Sequence, residues 1–136
     1  MNKFLVFMCF IGIFFLSACT NNDCKKDDVL SFLETSDTYL NDIVSDIDVA
    51  KAYPNKLLEI RIDMLSIQSE YKYLENPPCT ENYQSYVVDF MNSWIDYVSA
   101  GANSPIEPQL REYTMEKLQF FLDERDRLKE LIGYGE

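Results

Sequence analysis

Three stretches of this chain place apolar or small residues alternately three and four positions apart, a fourth follows the helical period more loosely, and residues that cannot continue a helix separate one stretch from the next. The first runs from Asp28 to Tyr53, with Val29, Leu33, Ser36, Leu40, Ile43, Ile47 and Ala50 on one face. Pro54-Asn55 ends it. The second runs from Lys56 to Glu75 on Leu57, Ile60, Met64, Ile67, Tyr71 and Leu74, and Asn76-Pro77-Pro78 stops it, because proline lacks the N–H and excludes helical geometry before it. The third starts after Cys79, with Thr80 placed as an N-cap and Glu81 in the first turn. Its face is Tyr83, Val87, Phe90, Trp94 and Tyr97, flanked by Tyr86, Met91, Ile95 and Val98, and Ala100-Gly101-Ala102-Asn103 closes it. The fourth opens on Ser104-Pro105-Ile106-Glu107, a capping-box pattern whose start Pro108 can shift by a turn. It continues on Leu110, Tyr113, Leu118, Phe121, Leu128 and Ile132, with Gly133 as its C-terminal cap. No alternation of period two competes. The expectation is all-α: an up-down-up-down four-helix bundle over residues 28–136, since long helices joined by short breaks pack antiparallel.

What the chain lacks removes whole classes of chemistry. It has no histidine, which excludes Ser-His-Asp and Cys-His catalysis and the usual catalytic zinc shells. Glycine is restricted to Gly12, Gly101, Gly133 and Gly135, so no phosphate loop or dinucleotide fingerprint can be written. Asp46-Ile47-Asp48 and Asp123-Glu124-Arg125-Asp126 lack the spacing and the glycine of a calcium loop, and read as solvated helix faces. No metal and no cofactor is expected, and no catalytic residue is assigned.

Residues 1–19 carry the clearest motif. Lys3 precedes an uncharged run from Phe4 to Leu16, too short for a membrane span of roughly 20 residues and within the 7–15 of a signal h-region. Leu16-Ser17-Ala18-Cys19 follows. This tetrapeptide resembles the lipobox of bacterial lipoproteins. The resemblance implies cleavage between Ala18 and Cys19 and lipid on the Cys19 sulfur. It further implies that two or three acyl chains hold the protein to a membrane on the extracytoplasmic side of the cell envelope. Residues 1–18 are then a signal peptide and 19–27 a lipidated tether. In lipoproteins of diderm bacteria an aspartate after the cysteine marks inner-membrane retention; Thr20 stands there instead, so outer-membrane sorting is the default expectation.

Under that reading 118 residues remain, enough for one domain. Lys3 leaves with the leader, so 11 of the 12 basic residues face all 23 acidic ones, a net charge of −12. Such a body is repelled by nucleic-acid phosphates and anionic headgroups, so no nucleic-acid partner is expected. Two cysteines also remain, Cys24 and Cys79, in a compartment where disulfides persist. Each precedes a helix that starts at the same end of an up-down bundle, and a bond between them would clamp that end near the lipid. Two free thiols or a metal pair are the alternatives, though with no histidine and no third cysteine a metal site would lack ligands.

Arg61 and Arg125 lie on or beside apolar stripes. They read as an anion or carboxylate site between helices, or as snorkelling stems and an internal ion pair. Trp94 and Phe90 are expected in the core. Tyr71, Tyr73, Tyr83 and Tyr86 flank the break at Pro77-Pro78, where an aromatic-lined end could form. The function expected is non-catalytic contact with an envelope protein or a small ligand. The alternatives are a small-ligand-binding domain near the two arginines and, more remotely, a carboxylate hydrolase.

Overall fold

The computed structural model describes residues 24–101 and 104–134. The signal peptide, the cleavage pair Ala18 and Cys19, and the first part of the tether lie outside the described residues. Within them the chain is all-α: α1 spans Lys26–Ala52, α2 Leu57–Lys72, α3 Glu81–Ala100 and α4 Glu107–Leu131. Two 3₁₀ turns, Pro54–Lys56 and Pro78–Thr80, form at the proline breaks. The bundle has α3 against both α2 and α4, and α1 against α2 and α3. Among the described residues no helix is long and apolar enough to cross a membrane.

The helices form where the period puts them, but their ends differ from the cap signals. Thr80 sits at the N-cap of α3 without capping it; its hydroxyl donates to the Pro77 carbonyl (2.7 Å), closing the preceding turn instead. Ser104 does not cap α4. Pro105 and Ile106 form a turn in which the Ile106 N–H reaches the Ser104 hydroxyl at 3.4 Å, and the helix begins at Glu107, with Pro108 in its first turn. Gly133 behaves as expected. At φ +64 it lets its own N–H bond the Glu130 carbonyl and the Tyr134 N–H bond the Lys129 carbonyl, the paired bonds of a Schellman motif. Gly101 closes α3 at φ 77, ψ 155, a conformation that only glycine adopts without strain.

The core collects the predicted faces: Val29, Leu33, Ile43 and Ile47 from α1, Ile60, Met64 and Tyr71 from α2, Tyr83, Val87, Phe90 and Met91 from α3, Phe121 and Leu128 from α4. Burial of each large side chain contributes about 1.5–3 kcal/mol. Four details depart from expectation. Phe32 joins the core beside Leu33, whereas Trp94 is only partly buried. On α4 Tyr113 is exposed, because the buried line runs through Thr114, Phe121, Glu124 and Leu128. Glu124 is therefore no solvated-face residue: its carboxylate is covered by Arg127, which bonds both oxygens at 2.8 and 2.6 Å.

Candidate functional site

The two arginines part company. Arg61 is exposed on α2 and has no ion-pair partner among the described residues. Arg125 reaches from α4 to α1 and grips Asp37 with both ends of its guanidinium, Nη1 to Oδ1 and Nη2 to Oδ2 at 2.6 Å each. The bond to Asp37 holds the Arg125 pKa above its ordinary value, against the opposing effect of burial. The structure does not bring the two together as one site, since Arg61 is exposed to solvent while Arg125 is taken up by Asp37; Arg125 is the internal ion pair.

Around that pair lies a buried polar cluster. The Tyr71 hydroxyl and Ser36 Oγ are 2.9 Å apart, and Ser36 in turn donates to the Phe32 carbonyl at 2.8 Å, so Tyr71 is the donor to Ser36. Burial pushes both tyrosines up, Tyr71 well beyond the ordinary range and Tyr83 to about 12. The Tyr83 hydroxyl and Arg125 Nε are buried with no hydrogen-bond partner. From this cluster a run of aromatic rings extends through α3: Phe32 to Tyr83, Tyr83 to Phe121, Phe121 to Phe90, Phe90 to Trp94, Trp94 to Tyr97, centroids 5.1–6.3 Å apart. The tyrosines beside Pro77-Pro78 thus serve mainly as core; Tyr73 alone among them is exposed.

The ends of the bundle have different characters. At one, Cys24 and Cys79 stand at disulfide distance, their Cα atoms 5.7 Å apart, joining the start of α1 to the start of α3. Gln84 adds two bonds to the Tyr71 and Leu74 carbonyls and ties the end of α2 to the same region. The other end lies beyond the length of α1, roughly 40 Å away at 1.5 Å per residue. There Ile47, Ala50, Pro54, Leu57 and Val98 wall a largely apolar cleft of about 120 Å³, with Lys51, Tyr97 and Gly101 at its rim. Tyr97 is fixed in place by donating to Glu107 Oε1 at 2.8 Å, a bond that also raises its pKa. The cleft lies where both chain breaks, Pro54 and Gly101, end α1 and α3 beside each other. The apolar steps at Ile47, Ala50, Leu57 and Val98 were legible as core; that they would leave a gap at the Pro54 and Gly101 breaks was not.

The arrangement offers little chemistry. Among the described residues no three His, Cys, Asp or Glu side chains stand together as a metal site. Asp46 is half-buried, with one carboxylate oxygen unpartnered; burial and then the nearby Asp63 and Asp42 raise its pKa. No family model, curated protein or solved structure matches the chain.

Proposed function

We propose that this chain is a non-catalytic, lipid-anchored domain of the bacterial envelope, an up-down-up-down bundle held to a membrane through Cys19 and acting by contact at its far end. The observation that carries the reading is the asymmetry of the two ends. The Cys24–Cys79 pair gathers two helix starts five residues after Cys19, while the apolar cleft opens a full helix length away. A tether at the first end would leave the second accessible. The test is metabolic labelling with a radioactive fatty acid, followed by membrane fractionation. The wild-type chain should take up label and sediment with membranes, and Cys19→Ser should take up none. An unlabelled, soluble wild type would overturn the reading.

The cleft supports a second reading, a small apolar ligand. Its volume is close to the roughly 150 Å³ of an engineered cavity that takes up benzene. A ligand there would lie against Val98 and Tyr97 rather than near the arginines. Benzene at saturation should raise the Tm of the wild type, and Ala50→Leu, which fills the cleft, should abolish the shift. Equal shifts in both would exclude the cleft as the site.

A further inference from the structure

The second helix has two apolar faces. Ile60, Met64, Ile67 and Tyr71 turn inward, and almost opposite them Leu58, Ile62 and Leu65 are 71%, 58% and 42% exposed. This outer line continues through exposed Ser69 and Lys72, so its steps are four, three, four and three. That is the spacing of a helix–helix seam. Its two flanks differ in charge. On the side of α3, where the Gln68 amide donates to Asn92 at 3.0 Å, stands the unpaired Arg61. On the side of α1 stand Glu59, Asp63 and Glu70, all exposed, with Asp63 near Asp46 of α1.

We propose that the outer face of α2 is a self-association surface, on which a second copy of this chain packs with its α2 parallel and in register. Symmetry decides the direction. A two-fold axis perpendicular to the helices brings like flanks together, acid against acid and Arg61 against Arg61. A two-fold axis parallel to the helices places the Arg61 flank of each copy beside the acidic flank of the other. The parallel axis is also the one that keeps both N-termini on the same side, as two chains in one membrane require. The three apolar side chains supply on the order of 300 Å², against about 800 Å² per partner for a standard stable interface. The dimer is therefore weak in solution and populated where chains are confined. That confinement and the placing of both N-termini on one side rest on the lipid anchor; the charge argument for the pairing direction rests on α2 alone.

Single exposed cysteines with a short bismaleimide cross-linker test the register and spare the Cys24–Cys79 pair. Leu58→Cys and Ser69→Cys lie 11 positions apart on the seam, about 16 Å. In full-length chain on membranes each should cross-link to itself several-fold more than Glu116→Cys on the exposed side of α4, and Arg61→Glu should lower the yield severalfold. An antiparallel pair would instead link Leu58→Cys only to Ser69→Cys in a mixture, and this overturns the proposal, as does a yield equal to that of Glu116→Cys. The same variants, extracted from membranes in detergent and held at high concentration, should show the same pattern at lower yield. A wild type absent from membranes, with that pattern intact in solution, refutes the anchor and leaves the seam standing.

Discussion

Removing the carboxylate of Asp37 tests how the four helices are locked together. The pair it forms with Arg125 is bidentate at 2.6 Å, joins α1 to α4 across 88 residues, and is only partly shielded, with side-chain exposures of 41% and 22%. Charge centres about 4 Å apart at an effective dielectric near 20 attract by about 4 kcal/mol. Opposing this are the desolvation of Arg125, its unpartnered Nε and the solvent on Asp37, which together bring the net coupling to about 1–2 kcal/mol. In a urea double-mutant cycle, Asp37→Asn should cost about 2 kcal/mol, because it strands a guanidinium beside Tyr83. Arg125→Met, which keeps the packed stem, should cost about 1 kcal/mol. The double variant should cost about 1–2 kcal/mol, less than the sum of the two single variants by the coupling, with unchanged m-values. Salt at about 1 M should weaken the coupling only partly, as the pair is half-enclosed. A coupling below about 0.5 kcal/mol, or one erased by salt, would show an ordinary surface pair and refute the reasoning.

Three further outcomes follow from the polar atoms and the cysteines. Tyr83→Phe deletes a buried, unpartnered hydroxyl and should leave stability unchanged or raise it by up to about 1 kcal/mol, whereas Tyr71→Phe loses the bond to Ser36 and should cost about 1 kcal/mol, both read by urea unfolding. Asp46 has a raised pKa in the fold, so the folded state favours its protonated form; that contribution is complete below the ordinary aspartate range and is lost as pH rises through the raised value. Asp46→Asn should therefore raise the urea midpoint at pH 7, and the gain should vanish at about pH 3; an equal gain at both pH values would contradict it. Cys79→Ser opens a covalent loop with a sequence separation of 55 and should cost on the order of 3–4 kcal/mol, with reduction of the wild type giving the same loss.

The sequence makes the helices and most of their inward faces legible because burial follows the helical period, as with Ile60, Met64 and Tyr71 on α2. It misleads where a neighbour, not the residue, decides. Glu124 is buried because Arg127 covers both its oxygens, and Tyr113 is exposed because Thr114, small and bonded to the Leu110 carbonyl at 2.8 Å, takes the inward position. Thr80 and Ser104 carry capping side chains, yet the adjacent prolines draw both into turns. That Cys24 and Cys79 come to disulfide distance was readable from helix order, once Cys9 and Cys19 were assigned to the leader and the lipid. The partner of Arg125 was not: nothing in the spacing singles out Asp37 among the acids of α1. Arg61 looked equivalent to Arg125 in one dimension, but a rotation of α2 by less than half a turn puts it in solvent.

The cysteine pair also sets how the domain bears mechanical load. A pull on the chain ahead of Cys24 reaches a junction at which one branch is the folded length of α1 and α2 and the other is a single covalent link to Cys79. The link is shorter and stiffer, so tension passes directly into the start of α3, and the first two helices hang in a closed ring that carries almost none of it. A pull between the chain ahead of Cys24 and the end of α4 therefore strains the α3–α4 contact, the broadest in the bundle, before it can peel α1 away. Reducing the pair would reverse that order and make the first helix the first to unravel.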